Sequence, residues 1–205
     1  TGHLARHLGV SNQQIRLEMG VVDGFKSASL FAKISFVLLV VSALFASIAF
    51  TCTGWAKNNV GAHYGLWRLC GENVYVPGCT QLDGWAVDWW AATQALVSFG
   101  FFGIWVALIL VSLVMFSESF KGNKEMAIAA AIVCIVTGVL YLIGVIVFGA
   151  EFDKYFISRN NLTLMNYSLS YCFGLSIVAL VFEIVAGVLM ILDGKGGGGG
   201  TKPSA

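Results

Sequence analysis

Charged residues are scarce in this chain. They make up 11% of its 205 residues and sum to a formal +1, so no basic stripe with interleaved aromatics exists and nucleic-acid binding is excluded. Histidine is equally sparse. His3, His7 and His63 form no metal-spaced cluster, and the sequence also lacks a paired-carboxylate cleft and a Gly-rich phosphate loop. These absences point to a non-catalytic protein that needs no cofactor. A secretory leader is missing as well: the chain begins at Thr1, without a basic segment, a short apolar core and a small-residue cleavage site. Its N-terminus is therefore read as incomplete or processed. What the chain has in excess is apolar side chain, 58% of the total, more than one soluble core of this length can hide. It is a membrane protein.

Four stretches are long and apolar enough to cross a hydrocarbon core of about 30 Å. They cover residues 27–50, 89–116, 126–150 and 169–192. Before them lies a polar arm, 1–26, with a short helix expected around Gln13 to Met19; after them comes a flexible Gly-rich tail, 193–205. The connection Ser117 to Glu125 is short and polar, so the second and third spans are antiparallel neighbours. The loops 51–88 and 151–168 share the opposite side. Trp89 and Trp90 sit where amphipathic rings prefer the headgroup boundary.

Three features orient the chain. Arg6, Arg16, Lys26, Lys33, Lys121, Lys124, Lys195 and Lys202 lie on the side of the termini, against Lys57, Arg68, Lys154 and Arg159 on the other, which matches the positive-inside tendency. The glycosylation sequons at Asn161 and Asn166 fall in the loop that charge places outside. Cys70 and Cys79 also fall outside, where a disulfide persists. Both termini are thus expected in the cytosol, in a multi-pass protein of the plasma membrane.

Inside a bilayer, helices associate through small residues and interhelical polar contacts. Ala130, Cys134 and Gly138 recur at a spacing of four, broadened by Ala127 and Ala131; Gly100 and Gly103, then Gly174, Ser176 and Gly187, supply the neighbouring helices. Bundle packing is the ordinary use of such stripes, ahead of a dedicated dimer face. Glu183 stands alone as an intramembrane acid. Because no second acid, His or Arg continues a relay through the spans, an interhelical hydrogen bond is preferred over proton transfer.

Loop 51–88 concentrates the motifs. Thr53 to Ala56, His63 to Cys70 and Asn73 to Thr80 carry aromatics and valine between turn signals at Asn58-Asn59 and Pro77-Gly78, the pattern of a small antiparallel sheet. The Cys70 and Cys79 spacing suits a bridge across two adjacent strands, worth about 2 to 3 kcal/mol; taken alone, the pair leaves two free thiols open. Cys52, Cys134 and Cys172 are expected to be unpaired, behaving as small apolar residues. Arg68 can hydrogen-bond a loop carbonyl, pair with Glu72 or Asp83, or contact a lipid phosphate. Phe152, Tyr155 and Phe156 alternate with Asp153 and Lys154, so loop 151–168 can add one more strand, form a partner-facing tip or stay a solvated loop.

Trp55 after the first span, Gly65-Leu66-Trp67-Arg68-Leu69-Cys70, and Cys79 before the second resemble the signature of the claudin, peripheral myelin protein, epithelial membrane protein and calcium-channel γ-subunit superfamily. The likeness covers about Ser27 to Leu192. It implies an all-α membrane protein, a left-handed four-helix bundle carrying a small extracellular antiparallel β-sheet. It also implies a bridge from Cys70 to Cys79, with Leu66 and Trp67 pressed towards the outer leaflet.

Two functions follow from the resemblance. One is cell–cell adhesion or paracellular barrier formation, in which the loops self-associate with adjacent claudin-like subunits and Arg68, Glu72, Asp83 and Asp88 are candidate loop charges. The other is an auxiliary subunit that tunes a channel or receptor. Membrane lipids are partners in both.

Overall fold

The structure, a computed structural model, describes residues 22–71, 78–82, 87–117, 119–158 and 166–196. Four helices of membrane length fall within them: α1 (Leu30–Thr51), α2 (Asp88–Phe116), α3 (Lys124–Phe152) and α4 (Tyr171–Gly196). Their 22 to 29 residues rise about 33 to 44 Å at 1.5 Å per residue, enough to span a bilayer, and all four are apolar enough to do so. Each helix packs on two neighbours, closing a ring in the order α1, α2, α3, α4.

The helix ends lie where local chemistry puts them. Ser29 caps α1 by accepting the Ala32 amide at 3.0 Å, so this span starts three residues after Ser27. Asn123 accepts from the Glu125 and Met126 amides at the head of α3, satisfying donors that a helix start leaves orphaned. At its other end α3 runs on as a π-helical turn, Asp153–Ser158. The alternating aromatics of that segment therefore do not make the extra strand. Helix α4 extends through Gly194 to Gly196, past the expected start of the tail.

Five short strands form one antiparallel sheet at the end of the bundle where α1 finishes and α4 begins. Strands β1 (Ala56–Asn58), β2 (Ala62–Tyr64), β3 (Arg68–Gly71) and β4 (Gly78–Gln81) come from the first long loop, and β5 (Tyr167–Leu169) from the second. The order is β4-β3-β2-β1-β5. The second loop thus contributes a strand, but its residues are Tyr167 to Leu169, directly before α4. Cys70 faces Cys79 in the β3–β4 register and the two are bonded.

Small residues set the helix contacts. The buried face of α1 is Ala32, Ser35, Leu39, Ser42, Ala43, Ala46 and Ala49. Ser35 Oγ donates to the Ala186 carbonyl at 3.2 Å and Ser42 Oγ to the Ala179 carbonyl at 2.7 Å. Both pairs recur after two helical turns, which holds α1 and α4 in one antiparallel register. Between α2 and α3, a side chain at Gly100 or Gly103 would overlap Tyr141 or Thr137.

A second disulfide joins Cys52, just past the end of α1, to Cys172 in the first turn of α4. This corrects the expectation that both are unpaired. Each terminates its span at the sheet side, so folding stacks two thiols that lie 120 residues apart in sequence. Cys134 is free and buried.

Candidate functional site

The motif residues of the first loop meet where the sheet rests on the bundle. Trp55 follows α1 after a short turn and is fully buried, its ring edge-on to Phe148 at 4.9 Å and to Phe173 at 6.1 Å. Its indole Nε1 donates to the Ala49 carbonyl at 2.6 Å, one of the acceptors left open at a helix C-terminus. Its backbone carries the sheet: the amide donates to Tyr64 and the carbonyl accepts from Ser170. One residue thus ties α1, β2 and the strand leading into α4.

Gly65 occupies a place with no room for a side chain. A Cβ there would lie 2.5 Å from the Cys52 carbonyl oxygen and 2.7 Å from the Thr53 Cα, both backbone atoms that cannot rotate away. Glycine is required because two stretches of main chain pass in direct contact.

Leu66 is also fully buried; it points into the bundle, not at the leaflet as the resemblance implied. Its carbonyl accepts two side-chain donors from α2, Trp90 Nε1 and Gln94 Nε2, each at 2.9 Å. Neighbouring main-chain groups are paired too, Gly65 N–H to the Arg68 carbonyl and the Trp67 carbonyl to Leu82 N–H. Trp67 alone of the motif keeps its ring partly outside, 36% exposed, against Phe50 at 5.3 Å.

Trp90 and Gln94 are members of this clasp that motif reading passed over. Their signal was present, two hydrogen-bonding side chains four apart and so on one helix face. Trp90 is buried in the protein instead of sitting at the headgroup boundary. Tyr64 completes the aromatic floor beside Phe152 and Tyr167. Burial, reinforced by the neighbouring Tyr167, holds its hydroxyl well above the usual phenol range, so it stays a neutral hydrogen-bonding group across physiological pH.

The candidate loop charges are not gathered in one place. Arg68 is exposed on β3 opposite Gln81, and Asp88 is exposed in the first turn of α2, where a carboxylate complements the helix dipole. Lys154 pairs with Glu151 at 3.6 Å. Glu72, Asp83, Arg159 and Asn161 lie outside the described residues, as does the helix expected at Gln13 to Met19. Asn166 is exposed, its backbone N–H donating to Asn59 Oδ1 at 3.0 Å.

Within the spans, Glu183 is fully buried and accepts a hydrogen bond from Thr137 Oγ1 at 2.6 Å. Thr137 also lies 2.6 Å from the Val133 carbonyl. Glu183 Oε2 and the Tyr141 hydroxyl are buried without a partner. Among the described residues, no group of three or more His, Cys, Asp and Glu side chains converges to hold a metal ion.

A ring of four spans, bound to a disulfide-braced sheet through Trp55 and the Gly-Leu-Trp turn, defines a tetraspan membrane protein of the claudin type. The PMP-22/EMP/MP20/Claudin family model matches residues 27–190, and the chain belongs to that family. No curated protein matches it.

Proposed function

We propose that this is a non-catalytic adhesion or barrier protein of the plasma membrane, acting through its sheet at contacts between cells. The observation that supports this reading is the division of labour in the sheet. Trp55, Gly65 and Leu66 are consumed by the clasp, while β4 is an edge strand exposed at all four positions. An edge strand held rigid by a disulfide and by the bundle is suited to pairing with a neighbouring copy. In this reading the sheet and Asn166 are extracellular, both termini are cytosolic, and Asn161 and Asn166 carry glycans. Arg68, Glu72, Asp83 and Asp88 then act as charges that select neighbours or ions.

Expression in cells that lack junctions tests the proposal. Strands concentrated at cell contacts are the expected result; diffuse surface label without cell aggregation would sink it. The topology is tested separately by an N-glycosidase mobility shift that is lost in an N161Q/N166Q variant.

The second reading, an auxiliary subunit of a channel or receptor, draws on the outer face of α3. Ile128, Ile132, Val136, Val139, Ile143 and Ile146 are exposed along it, a continuous ridge against which another membrane helix can lie. Stoichiometric co-purification with a channel, lost on replacing Ile132 and Val136 by Trp, is its test.

A further inference from the structure

At the end of the bundle away from the sheet lies a cavity of about 330 Å³, in the size range of small-ligand sites. All four helices line it, with Ala32 of α1, Val114 of α2, Ala127 of α3 and Gly194 of α4 as its walls. Two of these are alanine and one is glycine, so the space exists because these positions supply almost no bulk. The rim is polar. Lys121 and Lys124 come from the α2–α3 connection and the start of α3, with Ser27 and Asp193 also lining the opening.

Both lysines are exposed, and neither has an ion-pair partner among the described residues. Lys33, in the first turn of α1, is engaged elsewhere, donating to the Lys26 carbonyl at 3.1 Å and lying over the Phe25 ring. The cavity opens where the apolar parts of the spans end, which for a helix crossing a bilayer is the level of the headgroups. A basic pocket between membrane helices at that depth is suited to a phosphate-bearing headgroup, and lysine stems reach it while their ammonium groups stay hydrated.

We propose that this cup binds the headgroup of a phospholipid, its phosphate held between Lys121 and Lys124 and its amine or hydroxyl accepted by Asp193. The rim carries charges of both signs, which favours a headgroup with a hydrogen-bond donor over a bare phosphate. Bound there, a lipid bridges the ends of all four helices where no disulfide joins them. The site is independent of the adhesion and auxiliary readings.

The test uses the full chain, delipidated in detergent and titrated with short-chain phosphatidylethanolamine and phosphatidylglycerol, with diacylglycerol and glycerol 3-phosphate as the other arms. Binding of the phospholipids, none of diacylglycerol and much weaker binding of glycerol 3-phosphate are expected. The double variant K121Q/K124Q should weaken phospholipid binding about thirty-fold, from the contribution of two lysines near a headgroup surface. K195Q, which removes an exposed cation outside the cup, should leave it unchanged. The replaced lysines are exposed, and an unchanged unfolding midpoint checks that the variants fold. The proposal fails if the double variant binds like the original chain, if K195Q weakens binding as much, or if glycerol 3-phosphate binds as tightly as the lipids.

Discussion

The two halves of the bundle interior are built from different side chains. Towards the sheet the core holds the buried rings, Trp55, Tyr64, Trp90, Tyr141, Phe148 and Phe152, among smaller apolar residues. Towards the other end it is largely alanine, with Ala32, Ala107, Ala127, Ala130, Ala131 and Ala186 around Leu39, Val111 and Met190. The ring half is held by directional bonds, two disulfides and the indole and amide donors on Ala49 and Leu66. The alanine half is held mainly by close approach of backbones, with the Ser35 bond to the Ala186 carbonyl across it. Rings suit the junction because a sheet and four helices meet there at unlike angles, leaving a volume that only large, rigid side chains fill.

This contrast can be broken most severely at Trp55. Trp55→Ala removes the ring that Phe148 and Phe173 pack against and orphans the Ala49 carbonyl; a loss of about 3 to 5 kcal/mol is expected. Thermal unfolding in detergent is the measurement, and a shift no larger than that of an exposed-site control such as Trp67→Ala would show that Trp55 is not the junction. Trp55→Phe keeps most of the packing and should lose only about 1 to 3 kcal/mol.

The disulfides test the ring half covalently. In the chain-entropy picture, closing 120 residues between Cys52 and Cys172 is worth about 5 kcal/mol against about 3 for the short Cys70 to Cys79 loop. Inserted helices already restrict the long loop in the unfolded state, which narrows the gap without reversing its order. C52S/C172S should therefore lower the unfolding midpoint more than C70S/C79S. The opposite order would mean that packing alone closes the ring of helices.

Gly65→Ala, by forcing apart the main chain at Cys52 and Thr53, should cost about 1 to 3 kcal/mol, the usual range for overpacking. Reduced delivery to the cell surface is a convenient readout. An unchanged midpoint would mean that the main chain there yields easily.

The smallest effect belongs to the membrane interior. Thr137→Val deletes the hydroxyl that donates to Glu183, and interhelical hydrogen bonds of this kind average about 0.6 kcal/mol. A shift as large as that of Trp55→Ala would show that the polar contact, and not close packing, holds α3 to α4.

Much of the fold was legible in the residues. Four apolar runs located four spans to within a few positions, because in a bilayer only a helix satisfies its own backbone. The Val and aromatic segments between turn signals pointed to a sheet in the first loop, but His63 to Cys70 makes two strands on either side of the Gly65-Leu66-Trp67 turn instead of one, and β1 starts only at Ala56. What escaped were partnerships across long stretches of chain. Nothing in the sequence singles out Ser35 and Ser42, whose acceptors are the Ala186 and Ala179 carbonyls of another span. Cys52 and Cys172 each carried half a signal, a thiol at the sheet-side end of a span, and the pairing needed α1 and α4 to be neighbours. Trp90 and Gln94 shared a helix face pointing at an acceptor no sequence displays, a main-chain carbonyl at Leu66.

The sequence by itself determined that this is a four-span membrane protein of the claudin type, since span length, small-residue spacing and the Gly-Leu-Trp and Cys motifs are local properties of the chain. Only the tertiary structure decided why the motif takes that form. Gly65 must be glycine because of a main-chain contact with residues a dozen positions earlier, and Leu66 matters as much for its carbonyl as for its side chain. Such requirements are set by what lies opposite in space, and that depends on how the helices and strands pack together.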